Sequence, residues 1–319
     1  MDYLHRGAGK AVRIQFGGKY LKLAYRTKEY AECFNEWGSS VYLPCSKAYV
    51  LSLGNPYTDF QDLSYCYPFI MVDDTGRLSQ DLEEFRSKFQ CFFGVLNPWV
   101  QSCEGLDKFD VVLEYKDHFF CDLGINDIWR ILSDNHKRLI KKALKLAKIA
   151  RISNSGDIEK IWLELYNHLI AKRQISGISR FTPQILKNFI RLPQSAIYAA
   201  TIENQICGIT IFCFDERIVY YHLAAYSDIG YDHSVSYGIF WQAIQDFKKD
   251  GFKVLHLGGV PGVYASSSGL YKFKKGFSSG LKKTHFIGKI LNRDQFNETL
   301  KKSGTVGVFD FFPPYRKSL

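Results

Sequence analysis

No stretch of this chain approaches the roughly 18 uninterrupted apolar residues that a membrane-crossing helix needs. Its opening residues, MDYLHRGAGKAVRIQ, lack the apolar centre of a secretory signal. Both absences point to a cytoplasmic protein. The eight cysteines include no C-x-x-C pair and no H-E-x-x-H occurs, which argues against zinc and against a disulfide framework and leaves buried thiols. GAGK at residues 7–10 has neither the spacing nor the preceding strand of a P-loop. Acid is missing locally: residues 251–293 contain no Asp or Glu but include Lys253, Lys272, Lys274, Lys275, Lys282, Lys283, Lys289 and Arg293.

A second basic block, SDNHKRLIKKALKLAKIAR at residues 133–151, has Asp134 as its one acid, so two local blocks account for the net charge of +10. Concentrated positive charge implies a polyanionic partner: phosphates, nucleic acid or an anionic membrane surface. With 319 residues, 46% of them hydrophobic, the chain has material for two cored domains.

In the first half, SSVYLPCSKAYVLSL reads as two strands around a turn, and LSYCYPFIMVDD is strand-like. Leu82, Phe85, Phe89 and Phe92 recur at helical spacing, predicting a helix through LSQDLEEFRSKFQCFF. FFGVLNPWV predicts a strand stopped by Asn-Pro, and FDVVLEY another. Beyond Ser133 or Asp134 as N-cap, Ile140, Ala143, Leu144 and Ala147 share one helical face. Lys137, Lys141, Lys145 and Lys148 form a basic stripe on another.

The second half has a clearer order. DIEKIWLELYNHLIAKR predicts a helix, and TPQILKNFIRL a second, capped by Thr182 with Pro183 in its first turn. AIYAATIE, QICGITIFCF and IVYYHLAAYS predict an antiparallel meander turning at Asn204-Gln205 and Asp215-Glu216-Arg217. SVSYGIFWQAIQDFKKDG is a helix stopped by Gly251. FKVLHLGGV is a buried strand, GLYKFKKGF a short helix or turn, and THFIGKILN a last strand. That order is the order of the GNAT acyltransferase fold, whose sheet splays beside the strand after the long helix. The [RQ]-x-x-G-x-[GA] turn with which GNAT enzymes usually cradle the coenzyme A pyrophosphate is absent at its place, AYSDIGYDHSVSYG. QISGIS from Gln174 lies before the meander and reads as a chance match.

In an open α/β sheet, ligands sit where strand ends part. Gly258 and Gly259 end the FKVLHL strand at that place, and glycine lets a ligand approach the backbone. YKFKKGF brings Phe273 and Lys274 back toward the opening, where a lysine near a carbonyl can stabilise the oxyanion of acyl transfer. Ser266, Ser267 and Ser268 read as turn formers, with no nucleophile elbow around them. His222 and His256 read as core or cleft residues within strands.

These residues carry a resemblance. LGGV followed by GLYKFKKGF resembles the LGG…FK-x-x-F signature of the FemABX-like group, tRNA-dependent peptidyltransferases with BioF2-like acyltransferase relatives. SYCYPF from Ser64 resembles its Y-G-Y-x-G segment, departing at Cys66 and Tyr67. FFGVLNPWV resembles its R-x-x-P strand with Val95 in place of arginine. LSDNHKRLIKKALK resembles its S-x-x-x-R-x-x-I-x-K-A block, and YYHLAAYS, with Tyr221, the strand leading into the cleft.

The resemblance implies an α/β (α+β) fold of tandem GNAT-like domains with splayed mixed sheets. It divides the chain into residues 1–150, a degenerate GNAT-like domain that residues 301–319 rejoin, and residues 151–300, carrying the signature. It implies an acyl- or aminoacyltransferase that forms an amide on a cell-envelope precursor, polysaccharide or peptidoglycan. Lys274 would steady the tetrahedral intermediate beside Phe273, with Gly258, Gly259, Tyr221, Tyr271, Lys272, Lys137, Arg138, Lys141 and Lys145 contacting substrates. No cofactor is held tightly; acyl-CoA, an acyl carrier protein or aminoacyl-tRNA serves as co-substrate. The acceptor bears phosphate, and contact with tRNA or with the inner face of an anionic membrane is expected. The competing expectation is a non-catalytic GNAT-like module that holds RNA or anionic lipid through its basic patches, recognisable by salt-dependent binding without product.

Overall fold

The computed structural model describes residues 24–177, 180–260, 268–305 and 311–317. The GAGK segment, Ile178 and Ser179 of QISGIS, and Ser266 and Ser267 lie outside the described residues. The first α-helix among the described residues is α1 (Lys28–Glu32), whose cap Thr27 accepts from the Tyr30 amide. Strands β1 (Ser39–Leu43) and β2 (Ala48–Gly54) form the expected hairpin, followed by β3 (Gln61–Tyr65). Helix α2 (Thr75–Glu84) starts at Asp74, whose carboxylate accepts from Gly76 and Arg77. It begins and ends earlier than the aromatic spacing predicts. Phe85 is its C-cap, and Phe92 lies fully buried on β4 (Cys91–Val95). The Gln90 amide donates to Gln61 O, pulling the chain into the sheet before a further turn can form. β5 (Val111–Asp122) extends the expected strand through KDHFFCD.

After the short helix α3 (Ile128–Ile131), α4 (Asp134–Leu146) is capped by Ser133, not Asp134. Ile140 and Ala143 face inward as expected, but Leu144 is exposed. Lys148 is not on the helix: it opens β6 (Lys148–Ile152), which pairs antiparallel with β7 (Ser195–Ile202). Between these strands lie α5 (Gly156–Arg173) and α6 (Pro183–Arg191), the latter capped by Thr182. β7, β8 (Gln205–Phe214) and β9 (Ile218–Tyr226) form the expected meander. Its first turn is Glu203-Asn204, both with positive φ, one residue earlier than Asn204-Gln205. Then come α7 (Asp228–Asp232), α8 (Val235–Lys249), β10 (Val254–Gly258), α9 (Gly269–Phe277), β11 (Gly280–Ile290) and α10 (Arg293–Lys302).

Among the described residues, eleven strands make one mixed sheet in the order β1-β2-β3-β4-β11-β5-β10-β9-β8-β7-β6. Each half contains one parallel pair that holds together over three residues and then parts. In the first half Asp62–Ser64 pair with Cys91–Phe93; in the second Val254–His256 pair with Ile218–Tyr220. These are the splays of two GNAT-like units. The halves share their long strands: β11, from the second, lies between β4 and β5 of the first, while β5 also pairs with β10. The proposed division near residue 150 therefore cuts the chain, while the sheet runs through it.

The last described residues return to the first half. Asp62 on β3 is fully buried, and it accepts from Tyr315 Oη at 2.8 Å and Arg316 Nε at 2.6 Å. A buried carboxylate is tolerated when it is paired and hydrogen-bonded in this way.

Candidate functional site

The site lies where β9 and β10 part. β10 ends in an irregularity between His256 and Gly258, and Gly258 has φ +77. A side chain there would be strained, and its Cβ would sit 3.2 Å from Lys274 Nζ. At Gly259 a Cβ would come within 2.9 Å of the His118 ring. Both glycines are thus places where the protein's own side chains, Lys274 and His118, come close to the backbone.

Helix α9 brings Lys274 to this point. Ser268 caps it by accepting from the Tyr271 amide. Phe273 and Phe277 pack on Phe240 of α8, with ring centroids 4.9 and 5.7 Å away. Gly276 lets α9 lie against His136 of α4, where a Cβ would fall 2.0 Å from the ring. His136 donates from Nε2 to the carbonyl of Phe273 at 3.0 Å, and its Nδ1 lies 2.9 Å from Ser133 Oγ. With that face fixed to α4 and α8, the next residue, about 100° round the helix, turns into the cleft. Lys274 is buried, while Lys272 and Lys275 are exposed.

Lys274 Nζ donates to the carbonyl of Gly259 at 2.5 Å and lies 5.4 Å from the centre of the Tyr221 ring. Burial, with Lys116 adding repulsion, lowers its pKa to about 7. The cleft has a volume of about 330 Å³, and among the described residues no carboxylate lines it. Two histidines do: His118 of β5 and His256 of β10 stack, with Nδ1 of the first 2.9 Å from Nε2 of the second. Burial, with repulsion from Lys274 and Lys116, depresses the His118 pKa to about 3, and burial, with His118 and Lys274, pushes that of His256 well down. Both rings are neutral, so one donates to the other. His222 also lines the cleft, its Nδ1 3.1 Å from Tyr25 Oη.

Some expected site residues are elsewhere. Phe273 does not reach the cleft; its ring is core packing, and the residue acts by its carbonyl and its place beside Lys274. Tyr271 packs edge-on against Phe119, with 5.3 Å between centroids, and Lys272 faces solvent; neither lines the cleft. The basic residues of α4 do not line the Lys274 cleft. Lys137 pairs with Asp134 at 3.6 Å, Arg138 donates to Asn135 at 3.0 Å, and Lys141 sits 5.9 Å over Trp129. Arg138, Lys141 and Lys145 are exposed on the helix surface, and Lys137 is half-buried. Sequence reasoning missed Lys116 and His118, because the second half of β5 carries no motif. His136 lay inside a quoted block without a role.

Where a coenzyme A pyrophosphate turn would stand, the chain between β9 and α8 forms α7. Asp228 of that helix binds Lys172 and lies 3.3 Å from His168 Nε2. A carboxylate and a closed helical turn replace open amides at that place.

Residues 178–290 match the FemAB family. No curated protein sequence matches the chain. Among solved structures, FemX has a TM-score of 0.56 at 12% identity, covering 78% of this chain and 85% of its own. A C-terminal domain assigned to a lysylphosphatidylglycerol synthetase of Agrobacterium fabrum gives 0.58 at 11% identity, covering 88% and 92%. L-PGS from Bacillus licheniformis gives 0.54 at 11% identity, covering 89% and 98%. At these identities the likeness establishes the fold.

Proposed function

We propose that this chain, whose residues 178–290 match the FemAB family, is a transferase that moves an activated aminoacyl group onto an amine of a cell-envelope component. The observation that carries this reading is the buried Lys274 at the parting of β9 and β10, in a cleft where no described residue contributes a carboxylate. In such a reaction the amine nitrogen bonds to the carbonyl carbon, the oxygen gains negative charge, and the ester C–O bond then breaks. A buried ammonium is stabilised most when that charge develops, so it favours the transition state over the bound ester. The amine proton must leave. His118, whose Nε2 edge faces Gly259, is a neutral acceptor of the right kind, and the proton passes on to the departing alkoxide.

Two features favour an aminoacyl-tRNA donor over acyl-CoA. The chain between β9 and α8 places Asp228 where a pyrophosphate turn would stand, and a carboxylate repels a phosphate there. The exposed lysines of α4 offer a separate surface for an RNA backbone. FemX, the lysylphosphatidylglycerol synthetase domain and L-PGS share the fold; the name of the second, an aminoacylated membrane lipid, supports the acceptor class of this reading. No tightly held cofactor enters the reaction, and the place of action is the cytoplasmic face of the membrane, where such precursors are exposed. The test offers charged tRNA and acyl-CoA side by side, with a mixture of envelope precursors, and reads products by mass spectrometry. A tRNA-dependent mass increase on the acceptor supports the reading. Salt-dependent binding of RNA with no product from either donor overturns it in favour of a non-catalytic module.

A further inference from the structure

His118 and His256 form a buried pair between β5 and β10. His256 stands opposite Phe120 in the antiparallel ladder, and His118, two residues from Phe120, shares its face of the sheet. His118 Nδ1 lies 2.9 Å from His256 Nε2, with 24° between the ring planes. A neutral imidazole carries a proton on one nitrogen and a lone pair on the other, so one ring donates and its partner accepts. The two remaining nitrogens have different surroundings. His118 Nε2 lies beside Gly259, in the lining of the Lys274 cleft. His256 Nδ1 is buried and has no hydrogen-bond partner among the described residues.

Two neutral arrangements satisfy this contact. If His256 donates, His118 turns an N–H toward Gly259. If His118 donates, it turns a lone pair there. The surroundings at both ends decide between them. Lys274 Nζ reaches the same glycine, donating to its carbonyl at 2.5 Å, and Lys116 is a second cation of the cleft, to which no described residue contributes a carboxylate. Uncompensated positive charge repels an N–H and attracts a lone pair. At the other end, Phe69, Trp99 and Tyr220 surround His256, their ring centres 5.8, 5.2 and 5.2 Å away at steep interplanar angles. Aromatic faces are negative, so they accept an N–H weakly and repel a lone pair. We infer that His256 is a positioning residue, which accepts the Nδ1–H of His118 and so holds the lone pair of His118 on Nε2, at the cleft. The inference rests on the transferase reading for what that lone pair does. The attacking amine gives its proton to Nε2, and the charge this puts on His118 is shared through Nδ1–H with His256 Nε2. His256 Nδ1 leads to no further acceptor among the described residues, so the proton leaves by the way it came, from His118 Nε2 to the departing oxygen. An acceptor behind the imidazole fixes the tautomer of a Ser-His-Asp triad in the same way. A neutral ring in that place, rather than a carboxylate, leaves His118 a weaker base that gives the proton up readily.

Nitrogen-15 NMR of the full chain, labelled in histidine, reads the arrangement without any turnover, because a ring nitrogen with a lone pair and one bearing a proton differ widely in shift. His118→Gln and His256→Gln assign the signals. The expected result is a lone pair on His118 Nε2, with protons on His118 Nδ1 and His256 Nδ1. His256→Phe keeps a ring among Phe69, Trp99 and Tyr220 but offers no acceptor. Its kcat for transfer from charged tRNA should fall about 10²-fold, the low end of what a general base contributes, with KM changed less than about twofold. His118 should then show both tautomers. His256→Gln, whose carbonyl accepts but which cannot carry a ring proton, should recover at least about tenfold of that loss and restore the lone pair on His118 Nε2. A proton on His118 Nε2 in the unaltered protein overturns the inference whatever the activity. So does a kcat that His256→Phe leaves within about twofold, or a Gln variant no faster than the Phe variant, since either makes His256 a packing ring. The expected tautomer with no product from charged tRNA or acyl-CoA sinks the transferase reading alone and leaves the order of the pair standing.

Discussion

Replacing Lys274 by Met removes one charge and little else. The unbranched stem keeps its place beside Tyr221, and Phe273 and Phe277 keep α9 on α8. What is lost is the donor now spent on the carbonyl of Gly259 at 2.5 Å. A reacting carbonyl oxygen that took the place of this acceptor would bring the same ammonium to developing charge. Loss of one such donor costs roughly 10²–10³ in turnover, about 2.7–4 kcal/mol. We expect that fall in single-turnover rate, with donor affinity changed less than about threefold. Lys275→Met is the control: its ammonium is exposed, 5.8 Å over Tyr271, and its loss should cost less than about twofold. Equal effects of the two changes, or a defect in binding alone, would refute the catalytic role and make Lys274 a phosphate anchor.

The same residue sets a pH signature. Its folded pKa of about 7 lies below the ordinary 10.5, so the free enzyme loses the ammonium as pH rises through 7. kcat/KM should therefore fall above about pH 7, and Lys274→Met should lack that limb. Between pH 7 and 10.5 the unfolded chain holds a proton that the folded chain has released, so stability from this group rises with pH across that window. Lys274→Met should thus stabilise the protein at pH 7 and below, with the advantage shrinking toward pH 10.5, as chemical denaturation at several pH values would show. A pH-independent difference would mean that the lysine is not desolvated.

Gly276→Ala forces a methyl into the His136 ring and should cost about 1–3 kcal/mol; pairing it with His136→Ala should cost less than the two single changes combined, and simple additivity in urea melts would refute the contact. Arg316→Ala leaves the Asp62 carboxylate buried without its cation and should cost about 3–5 kcal/mol; a loss under 1 kcal/mol would show that the C-terminal return does not hold the first half. Lys141→Ala with Lys145→Ala should weaken tRNA binding mainly at low salt and leave kcat with saturating donor unchanged. Unchanged affinity at low salt would make the stripe a solvated face. His118→Gln should lower turnover more than it lowers affinity for either substrate, and unaltered turnover would remove this ring from the proton path.

The legible parts of the sequence were those with local chemistry. Ser133, Thr182 and Gly251 announce helix ends because caps act within a few residues, and β7, β8 and β9 alternate between recognisable turns. LGGV and GLYKFKKGF reveal a strand end and a returning lysine, and the structure places Lys274 at the parting of the strands. Failures came where distant partners decide. Phe92 fits a helical period but is claimed by the sheet, between β3 and β11. Lys148 continues a basic stripe by count, yet the antiparallel pairing with β7 ends the helix two residues earlier. Phe273 is adjacent to the site in sequence and turned away from it in space, because successive helical residues point about 100° apart.

The site itself could not be read from either half alone. His118 and Lys116 come from β5, a strand of the first half; His256 and Lys274 come from the second. They meet because β5 and β11 each cross to serve the other half, a pairing that leaves no mark on local composition. The exchange also has a functional consequence. Beyond the effect of burial, which is the larger in both groups, repulsion from Lys274 lowers the pKa of His118 and repulsion from Lys116 lowers that of Lys274. An anionic substrate entering the cleft offsets both cations, raising the pKa of the ammonium and of the histidine together. The bound state thereby gains a firmer cation and a stronger base at once, whereas the empty cleft holds neither fully. The kcat profile should accordingly show its falling limb at higher pH than that of kcat/KM, and coincident limbs would show that substrate charge does not reach Lys274.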